Sequence, residues 1–200
     1  MKQRAALAAG LAIALTACAH TPLPEGAAKS GFAPGAAAAV TPEEGSPRFI
    51  GLVGTKAQHA PPFLGVPQTN FYCLRSFVDR QTGESRHQLY VSDNYSGGER
   101  VWNAARDDAG HPLRFIAVGR HQISCEGGCS YAEEFAAAIP ESELRANPRG
   151  FTVVFIAASG TEKRVSVSGA QISAQLAALE QSRNVGQPAT TATPAASPHQ

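Results

Sequence analysis

The sequence predicts a mainly β domain of the α+β class: an antiparallel sheet, or a small sandwich or barrel, closed by a C-terminal packing helix. Clusters of Gly, Asn, Asp and Pro recur at short intervals between residues 81 and 161, as turns between short strands require. The segments between these clusters are rich in aromatic and β-branched residues. Short connections favour antiparallel pairing, because a parallel pair needs a crossover of a dozen or more residues.

Six segments are predicted as strands because their residues suit a half-buried pleated surface. They comprise residues 70–79, 85–92, 100–106, 113–123, 151–157 and 163–167. Residues 93–98 read as a turn, since they combine Asp, Asn, Ser and two glycines. Residues 151–156 are apolar at odd and even positions alike, which is typical of a central strand covered on both faces.

Residues 130–139 fit a strand slightly better than a helix. Ser130 and Glu133 resemble a capping box, but the apolar residues on alternate positions up to Ile139 share one strand face with Glu133. Pro140 then suits the start of a short helix. The acidic pairs 107–108 and 133–134 are interpreted as solvated surface, because neighbours in a strand point to opposite faces.

The clearest helix begins at Gly169 and runs to about residue 182. Ser168 precedes it, with Gln171 three residues on as a capping partner. Ile172, Leu176 and Leu179 follow at spacings of four and three, so they form an apolar stripe that should pack on one face of the sheet. A groove for a partner helix is the alternative role for this stripe.

Composition limits the function classes. The chain has 200 residues, of which 43% are apolar and 16% charged, with a net charge of +1. These values are typical of one ordinary soluble domain and argue against a membrane bundle or a strongly basic nucleic-acid binder. We expect a signal peptide at 1–17, a lipidated cysteine and flexible Ala/Pro/Gly linker at 18–47, one globular domain at 48–183 and a disordered tail at 184–200.

The N-terminus carries an export signal. Two basic residues in the first four precede an apolar run that ends at Ala17, and this run is too short to span a bilayer. The tetrad Leu15-Thr16-Ala17-Cys18 resembles the lipobox of bacterial lipoproteins. That resemblance implies a diacylglycerol on Cys18, cleavage before it and a lasting membrane anchor. The alternative is an ordinary secretory signal cleaved near Ala17.

The resemblance also suggests where the anchored chain resides. Ala19 follows the cysteine, and the absence of aspartate there implies the outer membrane, facing the periplasm, rather than the inner membrane. Removing residues 1–17 takes away Lys2 and Arg4 but none of the 16 acidic residues, so the mature chain has a net charge of −1. The mature chain therefore has no excess of positive charge to attract nucleic acid or other polyanions, and we expect no nucleic-acid partner.

Three cysteines remain once Cys18 is lipidated. An exported compartment oxidises thiols, so the pair Cys125 and Cys129 at the ends of a Glu-Gly-Gly loop is expected to form a disulfide, leaving Cys73 free and buried. Pairing of Cys73 with either partner, a thiol-redox site, and a zinc site that adds His121 are the alternatives. We expect no metal and no other cofactor.

A hairpin closed at Thr82-Gly83 offers a candidate ligand site. Arg75, Asp79, Arg80 and His87 could crowd one edge of it and contact an anionic or peptide ligand, or else pair across the strands to stabilise the hairpin. The chain contains no Gly-x-Ser-x-Gly, His-Glu-x-x-His or P-loop motif, so no catalytic residue is assigned.

Residues 72–144 are similar to small, functionally uncharacterised envelope lipoproteins of proteobacteria. The similarity rests on Gly83 with His87-Gln88-Leu89-Tyr90-Val91 and on the cysteine pair at 125 and 129. It implies no particular activity. The sequence therefore predicts a membrane-anchored, non-catalytic binding or positioning module. The alternative is an envelope enzyme, such as a thiol-redox enzyme that uses Cys125 and Cys129.

Overall fold

Two antiparallel sheets and two helices make up the fold, in a computed structural model that describes residues 38–43 and 46–186. The described chain is 52% strand and 17% helix and forms no closed barrel. The predicted mainly β class with a C-terminal helix is therefore confirmed. The expected lipidation site at Cys18 and the tail beyond residue 186 lie outside the described residues.

The larger sheet has seven strands. They are β1 (Val40–Glu43), β2 (Phe49–Gly54), β3 (Ala57–Gln58), β4 (Phe71–Asp79), β5 (Ser85–Ser96), β8 (Phe115–Ser124) and β9 (Ser130–Ile139). Their order is β1-β2-β4-β5-β9-β8, and β3 pairs with the start of β4. Each neighbouring pair is antiparallel, as the short connections predict.

The smaller sheet has four strands in the order β11-β10-β6-β7. They are β6 (Trp102–Asp107), β7 (Pro112–Leu113), β10 (Gly150–Ala157) and β11 (Glu162–Ser168). Val153, Val154 and Phe155 are fully buried, and β10 is an interior strand, as its apolar run indicates. The helices are α1 (Glu141–Ala146) and α2 (Gly169–Gly186).

The core lies between the two sheets. Leu89 and Phe135 of the large sheet face Phe155 and Val165 of the small sheet. The rings of Phe135 and Phe155 meet edge to face, with centroids 4.9 Å apart. The aromatic side chains fill the space between the layers, as in other sandwich cores.

Helix α2 covers the rest of the inner face of the large sheet. The Ser168 N–H donates to Gln171 Oε1 (3.0 Å) and the Gln171 N–H donates to Ser168 Oγ (3.3 Å), so the predicted capping box is present. Leu179 is fully buried against Leu52 and Val78. The apolar stripe therefore packs on the sheet, as predicted.

Two segments differ from expectation. Residues 93–96 continue strand β5 instead of turning, because they pair with the first residues of β9 and bury Asp93 and Tyr95. Val40–Glu43 lies in the segment expected to be a linker, yet it pairs with β2 as an edge strand. Its composition is that of a linker. It can still form an edge strand, because such a strand has only one neighbour and buries little apolar surface.

Candidate functional site

The four residues expected to contact a ligand are not gathered in one place. Arg75 lies opposite Gln88 in the register of β4 and β5, whereas His87 lies opposite Ser76. Because successive side chains alternate across a strand, Arg75 and Asp79 point to the outer face and His87 points inward. The Arg75 guanidinium lies over the Tyr90 ring, 3.6 Å from its centroid.

Asp79 shapes the hairpin that follows β4. Its Oδ1 accepts the N–H of Gln81 (2.8 Å) and its Oδ2 accepts Arg48 Nε (2.8 Å). The backbone hydrogen bond from Gln81, with help from Arg48, holds the pKa of Asp79 below its usual range. The neighbouring Arg80 is exposed in the turn. Of the predicted set, Asp79 and Arg80 share one cavity, whereas His87 lines two others.

That cavity, here called the hairpin pocket, lies between the β4–β5 turn and the last turns of α2. Its volume is about 690 Å³. Apolar, acidic, basic and small polar residues line it: Ile50, Val78, Asp79, Arg80, Gln81, Thr82, Gly83, Ser182, Arg183 and Asn184. Such a mixture can hold an extended polar ligand by its charged groups and its apolar stem.

His87 belongs to a buried hydrogen-bond network beneath this hairpin. Its Nδ1 lies 2.8 Å from Ser76 Oγ, and Ser76 Oγ also accepts Gln175 Nε2 (2.8 Å). Ser85 Oγ donates its proton to Glu141 Oε2 (3.1 Å), so toward His87 it can only accept, and Nδ1 in turn accepts the Ser76 hydroxyl. The ring proton is then on Nε2, which faces Ser85 Oγ at 3.2 Å and Glu141 Oε2 at 3.5 Å.

This assignment makes His87 a structural donor rather than a general base. Ser76 is fully buried, so its hydroxyl is closed to any substrate. Asp79 faces the opposite side of the sheet and takes no part. The network ties both helices to the sheet, since Gln175 lies on α2 and Glu141 begins α1.

Glu141 belongs to the same network and pairs with an arginine from each helix. It accepts Arg183 Nη2 (2.7 Å) from α2 and Arg145 Nη2 (2.7 Å) from its own helix. The hydrogen bond from Arg183, the strongest influence, lowers the pKa of Glu141 to about 2. Glu141 therefore stays ionised, and Arg183 links this network to the hairpin pocket.

A second buried network surrounds Asp93, near the other end of β5. Asp93 is only 2% exposed. Its Oδ2 accepts Arg100 Nη1 (3.0 Å) and Trp102 Nε1 (2.9 Å), and its Oδ1 lies 3.1 Å from Lys163 Nζ. Both carboxylate oxygens are therefore bonded to donors of the fold, which is how a buried charge is tolerated.

His59 extends this network to the segment between β3 and β4. Its Nε2 lies 2.9 Å from the carbonyl oxygen of Ser92, so Nε2 carries the proton and Nδ1 accepts the Lys163 ammonium (3.1 Å). Burial lowers the pKa of His59, and the charge of Lys163 lowers it further. Lys163 thus binds an acid and a neutral histidine together.

Glu133 is buried next to these groups. Its carboxylate accepts the Tyr95 hydroxyl and the N–H groups of Val101 (3.0 Å) and Trp102 (3.1 Å). The expectation that this acidic pair is solvated holds for Glu134, which is exposed, but is wrong for Glu133. The sequence did carry a signal, because Glu133 lies on the apolar face of its strand, where a carboxylate needs buried donors.

Acid should weaken the fold through the half-buried His59 and the buried His87. Burial lowers the pKa of His59 and His87 in the folded protein below the ordinary value of 6.5. Between the folded-state pKa of each histidine and 6.5, the unfolded chain therefore binds more protons than the folded one. Stability should therefore rise with pH across that window and fall as pH drops below about 6.5. Urea unfolding at several pH values measures this. In His59→Gln, whose amide can replace both ring contacts, the loss between about pH 7 and about pH 5 should be smaller; an unchanged loss contradicts the assignment.

The β8–β9 hairpin ends in a disulfide between Cys125 and Cys129, and Cys73 is free and buried in β4. This is the arrangement that spacing and compartment favour. Closing so small a loop stabilises the fold by at most about 2 kcal/mol in the chain-entropy model. Alkylation of the unfolded, unreduced protein followed by peptide mapping should label Cys73 alone. A label on Cys125 or Cys129 contradicts the pairing.

Within the described residues, no cluster of three or more His, Cys, Asp or Glu side chains has the arrangement of a metal site. No helix of that part is long and apolar enough to cross a bilayer. Comparisons with family models, curated proteins and solved structures give no match. Functional interpretation therefore rests on the buried networks and the hairpin pocket, together with the export signal that the sequence predicts.

Proposed function

We propose that this protein is a cell-envelope lipoprotein, anchored by a lipid on Cys18, whose domain binds or positions another envelope component without catalysing a reaction. The anchor holds the domain at the membrane, with the outer membrane facing the periplasm as the favoured location. The partner is an envelope protein or a cell-wall fragment. The lipobox-like tetrad and the near-neutral mature chain support this assignment.

The bonding of the buried polar groups is the observation that carries the proposal. His87, Asp93, Glu133 and Lys163 each bond to groups within the fold. A catalytic acid, base or nucleophile must instead reach a substrate from an open site. The internal bonds favour a structural role for these residues and leave the hairpin pocket as the best-equipped surface for contact with a partner.

The chemistry of the hairpin pocket favours a partner that carries a carboxylate. Arg80 is exposed, whereas Arg183 already holds the Glu141 carboxylate with both Nη groups (3.2 and 2.7 Å). The Arg80 guanidinium can bind a partner's carboxylate through two parallel hydrogen bonds. Ile50 and Val78 add apolar surface to the same pocket, which suits the backbone of an acidic peptide or a cell-wall peptide.

Crosslinking in cells tests the proposal. A photo-crosslinking amino acid placed at Arg80 should capture an envelope protein or cell-wall fragment, identified by mass spectrometry. The same replacement at Arg149 is the matched control, because Arg149 is exposed beside the start of α2, whereas the pocket adjoins Ser182, about 20 Å along the helix axis.

Recovery from position 80 should exceed recovery from position 149 and from the chain that also carries Cys18→Ser. Equal recovery from all three, or no envelope component from position 80, contradicts a binding role for this pocket.

A further inference from the structure

An exposed apolar tip lies in the segment between β3 and β4. The tip comprises residues 63–66 and begins with a single 3₁₀ turn. Leu64 is 83% exposed and Val66 is 52% exposed. Scattered exposed apolar side chains are common, but here two large ones lie close together in a loop that projects into solvent, and prolines flank them on both sides.

Hydrogen bonds fix the shape of this tip. Thr69 Oγ1 accepts the N–H of Phe63 (2.8 Å) and donates to the carbonyl oxygen of Val66 (2.7 Å). Asn70 is buried and donates Nδ2 to the carbonyl oxygen of Pro61 (2.8 Å), while its Oδ1 accepts the N–H of Asn94 in β5 (2.7 Å). These hydrogen bonds hold the tip in a defined conformation and fasten its base to β5.

Leu64 occupies a conformation that disfavours leucine. Its φ angle is +50°, in the left-handed region where glycine is the least strained residue. Gly65, Gln68 and Asn70 of the same segment also have positive φ angles. A leucine at this position directs an apolar side chain outward at a conformational cost, which points to a role outside the fold.

The chain from Cys18 enters the fold beside this tip. The Ala39 N–H donates to Thr55 Oγ1 (2.8 Å), and the Thr55 hydroxyl donates to the carbonyl oxygen of Ala39 (2.9 Å). The next residue, Lys56, donates Nζ to Gln68 Oε1 (2.9 Å), two residues beyond Val66. The end of the domain that joins the proposed anchor is thus the end that carries the apolar tip.

The charge of this segment suits an anionic lipid surface. Residues 55–70 contain no Asp or Glu, and their ionisable side chains are Lys56 and His59. Lys56 is exposed. An exposed lysine next to apolar side chains, with no nearby acid in its own segment, is the combination that headgroups of anionic phospholipids attract.

We propose that the apolar tip inserts Leu64 and Val66 into the interfacial region of the bilayer, with Lys56 at the lipid headgroups. This proposal rests on the lipid anchor proposed for Cys18, which brings the domain to the membrane. The contact orients the domain. The tip precedes β4 and the hairpin pocket follows it, so the two lie at opposite ends of a strand about 26 Å long. The pocket then faces away from the lipid.

Depth-dependent quenching of tryptophan tests the contact. Leu64→Trp is compared with Gln81→Trp, an exposed position in the turn at the other end of β4. Both chains start at residue 18, carry Cys18→Ser and an N-terminal polyhistidine tag, and are captured on phosphatidylethanolamine–phosphatidylglycerol vesicles that contain nickel-chelating lipid. The native Trp102 is buried and gives both chains the same background.

Brominated acyl chains should reduce the emission of the tryptophan introduced by Leu64→Trp to about half or less, since interfacial side chains reach the bromine. They should change the emission of the tryptophan introduced by Gln81→Trp by less than about a tenth, since that position is distant from the bilayer. Equal quenching of both positions, or of neither, overturns the proposal. Val66→Trp gives a second reading of the same tip if position 64 does not accept tryptophan.

The tag makes this result independent of lipidation. Selective quenching at position 64, together with no palmitate uptake by the wild-type chain in cells, would refute the anchor and retain the membrane contact. Palmitate uptake without selective quenching would refute the contact and retain the anchor.

Discussion

Asp93→Ala should lower the free energy of unfolding by about 3–5 kcal/mol, the usual cost of removing one partner from a buried ion pair. The carboxylate is 2% exposed and accepts hydrogen bonds from Lys163, Arg100 and the Trp102 indole. Its loss leaves the largely buried Lys163 ammonium without its negative partner and the buried indole N–H without its acceptor. Urea unfolding followed by Trp102 fluorescence measures the change, because the indole itself reports on the site.

Asp108→Ala is the matched control. Asp108 pairs with Arg164 at 2.9 Å, but both side chains are more than half exposed. Exposed pairs of this kind contribute at most about 1 kcal/mol. Adding Lys163→Met to Asp93→Ala should recover part of the loss by removing the unpaired cation. If Asp93→Ala cost no more than Asp108→Ala, the buried network would not support the fold as described.

Cys18→Ser should move the protein from the membrane pellet to the soluble envelope fraction. Each buried methylene of an acyl chain contributes about 0.8 kcal/mol, so two or three chains hold a protein to the bilayer almost irreversibly. The two exposed side chains of the apolar tip offer far less apolar surface and cannot replace them. Fractionation after a high-salt wash, followed by immunoblotting, measures the shift.

Cys73→Ser is the control for this variant, since it removes a thiol from the core of the domain and leaves residue 18 unchanged. It should remain in the pellet. A Cys18→Ser protein that stayed fully membrane-bound after the wash would require a different mode of attachment.

Local sequence patterns are sufficient to predict most of the strands and the C-terminal helix. Alternating apolar residues predict β4 and β9, and the capping pair Ser168 and Gln171 predicts the start of α2. These features depend on neighbours in sequence, which is why they can be read from it. The edge strand β1 could not be predicted, because its only partner is β2 and its side chains bury little surface.

The buried polar networks could not be predicted from local sequence patterns. Asp93 and the residues after it have the composition of a turn, and only pairing with β9 keeps them extended. The acceptors and donors around Asp93 come from positions 59, 100, 102 and 163, so no single stretch of sequence contains the site. His87 was expected at the hairpin edge, but it is buried, and the network that holds it includes Ser76 of β4 and Gln175 of α2, which come together only through packing.

The structure also separates the two ends of the domain. The apolar tip and the entry of the N-terminal chain lie before β4, and the hairpin pocket lies after it. If the anchor is at Cys18, one end contacts the bilayer and the other presents the pocket to a partner. The binding proposal and the membrane contact therefore require the same orientation.

Metabolic labelling with palmitate tests the central claim, lipid anchoring at Cys18, most directly. Cells that express the wild-type chain or Cys18→Ser are grown with labelled palmitate, and the protein is purified and assayed for covalent label. The wild type should incorporate palmitate, and so should Cys73→Ser, while Cys18→Ser should incorporate none. Equal labelling of the wild type and Cys18→Ser, or no labelling of either, would contradict the assignment of this protein as a lipoprotein.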